Sequence, residues 1–323
     1  MASFGLLELV VLFISLALSL AIVVPFSGVL VRYRANFNPK GLRLDEEGNT
    51  APPTGPVVKS YFAMFQRVYR IEGWPGLYKG IMPSALTTLV VTLFVLLAFD
   101  PTKPRRHSKY AAPEAGILGT FFYSVLMLVV SLPATILTYR AVTTPVKLGY
   151  FDPMRALRVL LTPTERRRPW ILYLTPGLMP AEILHVLVII LFLGPSRRWL
   201  LPALTEPNAG VGEISMTKLA FYTIVAIVCT AILTPLEVIT TRLVIQRNHA
   251  SAEYNSVQQE VDGDAEEYEQ YGDEEDVIGL REEGDPYLGL ADCAKRIIDE
   301  EGVMTLSRAW WLTLFGIWAN AFV

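Results

Sequence analysis

The feature that most limits what this chain can fold into is a long apolar run interrupted by a proline, met three times. The prolines are Pro25, Pro133 and Pro235, 108 and 102 residues apart, and arginine follows each at helical offsets. A period near 100 residues points to three similar units side by side. A proline within an apolar run bends a helix without ending it, provided neighbouring segments satisfy the backbone groups that it frees. The fullest version is Pro235-Leu236-Glu237-Val238-Ile239-Thr240-Thr241-Arg242.

Composition decides what surrounds these helices. The 323 residues are 52% hydrophobic with mean hydropathy +0.38. Several apolar runs approach the about 20 residues needed to cross a bilayer. Leu7 to Val24 contains a single charge, Glu8, and lacks the basic start and small-residue cleavage site of a removable leader. Three membrane hairpins are therefore expected in place of two soluble domains: residues 1–110, 111–213 and 214–323.

The net charge of -3 hides a segregation. Residues 253–285 hold 14 acidic residues and one basic residue, Arg281, leaving 27 Lys/Arg against 17 Asp/Glu in the rest of the chain. The body is basic, and the acidic stretch 252–284 reads as an insert with too little apolar surface to fix a fold. Either it is simply solvated or it binds a basic protein partner. The clusters Arg105-Arg106-His107 and Arg166-Arg167-Arg168 fall at expected membrane edges, where lipid contact or topology explains them before nucleic acid does. Cys229 and Cys293 fit neither a disulfide framework nor a zinc pattern. No Gly-rich phosphate loop, metal triad or Ser/His/Asp arrangement points to an enzyme, and no cofactor is expected.

Taken in order, long helices are expected over Leu7–Arg34, Ile81–Phe99, Gly116–Thr138, Leu178–Leu193 and Lys218–Val244. A sixth starts after Ala309 and has 14 residues, about 21 Å at about 1.5 Å each, a short crossing. Between them, Lys59–Ile71 carries Phe62, Phe65, Val68 and Tyr69 at helical spacing and reads as a helix on the membrane surface. Asp152–Leu161 and the stretch from Leu290 read the same way. Residues 32–79 and 139–170 carry eight and seven basic residues against four and two acidic ones. That excess suits one orientation, and the acidic insert opposes it locally.

This plan resembles the mitochondrial carrier family over most of residues 5–248 and 287–323. The marks are the proline signature on odd-numbered helices, the Glu72-Gly73 and Glu301-Gly302 turns, and the aromatic-basic-glycine lead-in Tyr78-Lys79-Gly80. The resemblance implies an all-α membrane protein, a threefold pseudo-symmetric six-helix mitochondrial-carrier bundle with short surface helices. In that family the signature's acidic and basic members form an ion-pair ring that closes the matrix side. Here Pro235, Glu237 and Arg242 match, with Thr240 at the basic ring position. The other repeats read Pro25, Ser27, Leu30, Arg32 and Pro133, Thr135, Thr138, Arg140. Glu237 is thus the one ring charge retained. The hydroxyls of Ser27, Thr135, Thr138 and Thr240 either bond across the bundle or bond to their own helix backbone.

A second ring on even-numbered helices is matched only by Phe99, Asp100 and Lys103. The family's solute contacts lie seven and eight residues beyond the glycine opening each even helix. They map to Thr87 and Thr88, Leu184 and His185, and Gly316 and Ile317, the last pair counted from Ala309. No Lys or Arg is among them, so the implied solute is small and not strongly anionic. Glu182 lies one turn before His185 on the same helix face, and the pair reads as a solute or proton site or as an internal packing pair.

Two functions remain open. One is a divergent mitochondrial solute transporter working by alternating access with a degenerate gate. The other is a transport-inactive adaptor of the outer membrane acting in fusion, lipid handling or protein assembly. Either is a multi-pass mitochondrial membrane protein, a monomeric bundle in contact with lipids, cardiolipin among them. The inner membrane is favoured for the transporter.

Overall fold

The computed structural model describes residues 6–40, 56–98, 116–149, 152–202, 215–248, 271, 275–281 and 285–322. Every regular element among them is helical. The three proline-bearing runs form the longest helices: α1 (Leu6–Ala35), α4 (Ile117–Thr143) and α9 (Met216–Ile245), of 30, 27 and 30 residues. Each keeps its proline inside and continues past it, so α4 extends five residues beyond the Thr138 expected from sequence. The three pack against one another. Their outward faces are apolar: on α9, Phe221, Ile224, Ile227, Val228 and Ile232 recur at helical spacing and are exposed, while Tyr222, Ala226, Cys229 and Leu233 are buried. Such a face is stable in hydrocarbon and not in water. Among the described residues, four helical stretches are long and apolar enough to cross a membrane: Ile14–Ala35, Ile117–Thr143, Leu178–Leu200 and Met216–Ile245.

The other elements are α2 (Tyr61–Leu77), α3 (Ile81–Ala98), α5 (Pro153–Leu160), α6 (Pro163–Arg167), α7 (Leu178–Val188), α8 (Gly194–Leu200), α10 (Leu290–Arg296) and α11 (Trp310–Ala321). The fourth long helix does not stop at Leu193 as expected. A π-turn over Ile189–Leu193, in which Gly194 N–H bonds to Ile189 O, joins α7 to α8 and carries the helix to Leu200. Pro195 supplies the reason: it has no N–H to donate, and its place at the first turn of α8 makes the loss harmless. Helix α11 has 12 residues, about 18 Å at about 1.5 Å per residue. On α2 the inward face is Tyr61, Met64 and Val68. Phe62 and Tyr69 point outward, and Phe62 stacks on Trp311.

Among the described residues, three buried Arg–Glu pairs of the same design help to hold one end of the bundle. The last signature arginine of each unit meets a glutamate of its own unit: Arg32 with Glu72 at 2.5 Å, Arg140 with Glu165 at 2.6 Å and Arg242 with Glu301 at 2.9 Å. All six side chains are at most 2% exposed. Basic residues then tie each unit to the next through carbonyls at the ends of the long helices, where the helix dipole favours a cation. Lys79 donates to Thr144 O (2.8 Å), Arg140 to Gln246 O (2.6 Å) and Arg242 to Arg34 O (2.9 Å); Arg308 donates to Asn36 O. The residues opening α3, α7 and α11 are Gly80, Gly177 and Ala309, all left-handed, with φ of 83°, 79° and 58°. A Cβ at Gly177 would stand 2.2 Å from Leu290 N, so glycine is required there, whereas Ala309 carries its side chain at a steric cost.

The acidic stretch reads as solvated or as binding a basic partner; its described end, residues 275–281, packs on basic residues of this chain. Residues 275–281 lie across the same end of the bundle. Arg67 donates to Asp276 O and Val277 O at 2.7 and 3.0 Å and pairs with Glu275 at 2.8 Å. Phe37 N–H donates to Gly279 O at 2.8 Å, and Gly279 N–H to Asn36 Oδ1 at 3.0 Å. Arg281 pairs with Glu300 at 2.5 Å and with Asp285. Tyr271 donates its N–H to Pro145 O at 3.1 Å, and its ring lies under Lys79 Nζ at 4.3 Å. Val277 and Ile278 are buried in the process. Residues 275–281 thus form a strap that ties the first unit to the third, and Tyr271 separately touches the second. Residues 252–270, 272–274 and 282–284 lie outside the described residues.

Candidate functional site

Between α1, α7, the π-turn, α9 and α11 lies a cavity of about 400 Å³. Its polar end is built on the organising octapeptide. Glu237, two residues after Pro235, accepts from Arg34 Nη2 at 2.6 Å and from the Thr313 hydroxyl at 2.5 Å; Arg34 Nη2 also reaches Thr313 Oγ1 at 2.9 Å. His185 Nε2 stands 3.5 Å from the other Glu237 oxygen, and that nitrogen is buried without a hydrogen-bond partner. Helices α1, α7, α9 and α11 each contribute one member, so the cluster exists only when they come together.

Glu237 is thus not the unpartnered remnant expected from the signature. Its cation comes from outside the motif. Ser27, Leu30 and Arg34 fall at i, i+3 and i+7, one face of α1, and Leu30 and Arg34 line the cavity. Arg32, two residues before Arg34 and so on a different face, turns to Glu72 instead. The signal for Arg34 was present in this stripe, one turn below Leu30. The threonine that completes the cluster, Thr313, carried no comparable mark.

The expected solute-contact residues divide. His185, Gly316 and Ile317 line the cavity. Thr87 and Thr88 are not on its lining; they donate to Pro83 O and Ser84 O of their own helix at 2.6 and 2.9 Å. Leu184 is exposed on the far side of α7. Glu182 is half-buried off the lining, and the carboxylate close to His185 is that of Glu237 on the neighbouring helix, not that of Glu182 one turn away. The hydroxyls of Ser27, Thr135 and Thr138 follow the backbone alternative, bonding to Val24 O, Ser131 O and Ala134 O. The Thr240 hydroxyl makes no hydrogen bond to another described residue. Phe99, Asp100 and Lys103, the expected opposite gate, lie outside the described residues.

The remaining wall is apolar, formed by Ile189, Leu193, Leu233, Leu312 and Ile317, with Arg197, Tyr222 and Asn320 as further polar groups. Sequence reasoning did not place Arg197 at this site, because it ended helix four near Leu193. Among the described residues, no group of three or more His, Cys, Asp or Glu is placed to hold a metal ion. What the arrangement can do is hold a small solute, with polar groups at its ends and hydrocarbon between them.

No curated protein matches the chain significantly. Residues 214–323 match the family model described as "Mitochondrial carrier protein". That stretch contains Pro235, Glu237, Arg242, Glu301 and α11, the third of the units whose buried Arg–Glu pair recurs in the other two. Over residues 214–323 the chain is similar to the mitochondrial carrier family, whose members are multi-pass mitochondrial membrane proteins that move solutes.

Proposed function

We propose that this protein carries a small solute, bearing at most one charge, across a mitochondrial membrane by alternating access of the cavity beside Glu237. The carrying observation is the Arg34–Glu237–Thr313 cluster with His185 at the end of a cavity of about 400 Å³. An ionisable cluster at membrane depth is costly unless paired or wet, and here it is paired across helices that must separate for the cavity to open on that side. This pairing takes the place of a full ring, together with the strap 275–281. Six helices in three pseudo-symmetric units, a monomer and an inner-membrane location complete the proposal. Lipid contact, cardiolipin included, belongs to it as well. It is supported by an apolar groove of about 460 Å³ between α3, α4 and α5, lined by Met82, Leu86, Leu137 and Leu157.

The experiment is reconstitution of the purified protein into liposomes and measurement of exchange across a panel of small neutral and singly charged metabolites. Saturable exchange that falls at least tenfold in His185→Ala supports transport. A second reading, the transport-inactive outer-membrane adaptor, is favoured by the strap, whose contacts with the first and third units lie across that end of the bundle, with Tyr271 on the second. Absence of flux from protein that melts cooperatively, together with protease access to the protein in intact mitochondria, selects it.

A further inference from the structure

We infer that Arg197 makes this cavity a site for a single carboxylate, so that the solute is a short-chain monocarboxylic acid. The inference rests on the solute-binding reading of the cavity and adds the chemical class. Arg197 lies in the last turn of α8, at the end of the apolar stretch Leu178–Leu200, and lines the cavity. Its Nε is buried without a hydrogen-bond partner, and among the described residues no carboxylate pairs with it. Its neighbour Arg198 is exposed and can reach water at the helix end. An arginine with its Nε buried and no carboxylate beside it is suited to take an anionic group from the cavity.

The lining itself does not supply one. Of its charged residues, Glu237 is already bound by Arg34 at 2.6 Å, which leaves Arg197 as the uncompensated charge. One anion balances the site, and a second would have to lie against the apolar wall. A guanidinium presents a planar fork that matches a carboxylate. Tyr222 and Asn320 place further polar groups on the same lining, and Leu193, Leu233 and Ile317 offer hydrocarbon contact to a short chain. His185, its Nε2 3.5 Å from Glu237, lines the other polar part of the cavity.

The test uses the full-length protein in detergent, with its melting transition followed against butyrate, the uncharged butyramide and the dianionic succinate. The result expected is stabilisation by butyrate and not by the other two. The apparent butyrate affinity should drop roughly ten- to a hundredfold in Arg197→Gln, as for loss of a charged hydrogen-bonded partner. Arg197→Lys should fall between, and Arg198→Gln should match the wild type. Equal butyrate affinity in Arg197→Gln overturns the inference. So does butyramide binding as well as butyrate, or failure of every straight-chain acid from acetate to hexanoate to stabilise the folded wild type. Liposome flux separates this from the transport reading. Butyrate that binds through Arg197 but is never moved keeps the site and removes transport. Flux of a neutral solute that is indifferent to Arg197→Gln keeps transport and removes the site.

Discussion

Glu165→Gln tests the buried clamps more sharply than any other single change. Glu165 is completely buried and receives Arg140 Nη1 at 2.6 Å, Arg140 Nη2 at 2.9 Å, Asn248 N–H at 3.0 Å and Thr162 N–H at 3.1 Å. Replacing the carboxylate leaves the Arg140 guanidinium buried without its counter-charge, at a cost of about 3–5 kcal/mol. The control is Glu275→Gln. Glu275 pairs with Arg67 and Arg70 but is half-exposed, so its loss costs less than about 1 kcal/mol. The double replacement Arg140→Met/Glu165→Leu removes both charges and recovers part of the loss. Recovery stays incomplete because Leu160 O and Gln246 O also lose Arg140 as donor, at about 1–3 kcal/mol for each buried acceptor left unpaired. The assay is thermal unfolding of the purified protein in detergent, read by exposure of Cys229 and Cys293 to a thiol-reactive dye; both are buried in the fold. A Glu165→Gln melting point no lower than that of Glu275→Gln would refute the clamp.

The same site sets a pH dependence. Burial alone pushes the Glu165 carboxyl upward, but its bonds from Arg140, Asn248 and Thr162 outweigh burial and leave it below its ordinary 4.5. A depressed carboxyl stabilises the fold above its ordinary value, and that contribution is lost as pH falls below 4.5 through the folded-state value. Acid melting curves should therefore lose stability in that window in the wild type and show a shallower loss in Glu165→Gln. Ala309→Gly removes the left-handed alanine ahead of α11 and should stabilise by up to about 1 kcal/mol, seen as a higher melting point. Gly177→Ala should do the reverse and lower it markedly, because the added Cβ meets backbone at 2.2 Å. Arg67→Ala removes three contacts that hold residues 275–277. Proteolysis should then cut near residue 276 faster than in the wild type, with the melting point of the bundle changed by only a few degrees.

Much of the frame was legible because it rests on backbone rules. Apolar runs of bilayer length had to become helices, prolines at a period near 100 residues marked the equivalent ones, and left-handed Gly80 and Gly177 marked where α3 and α7 begin. The helix over Leu178–Leu200 was misjudged at Gly194-Pro195, since a sequence pattern does not show that a π-turn can absorb the missing donor. The site was less legible, because its members meet through packing between helices. Arg34 could have been found from the Ser27–Leu30–Arg34 stripe. Glu165 was hidden because no glycine follows it, unlike Glu72 and Glu301, although it performs the same task. The end of the acidic stretch took its order from partners far away in the chain, Asn36 and Arg67, which composition cannot reveal.

The central claim is that the cavity beside Glu237 is the path a solute takes, and one substitution addresses it directly. Gly316 lines the cavity, and a Cβ built there meets nothing within 4 Å, so Gly316→Cys should fold normally. In protein with Cys229 and Cys293 replaced by alanine, a membrane-impermeant methanethiosulfonate should label Cys at this position from one side of the liposome, and solute should slow the labelling. Exchange should stop once the label is in place. Labelling that leaves exchange untouched, or a thiol that no reagent reaches from either side in protein that still exchanges solute, would contradict the account.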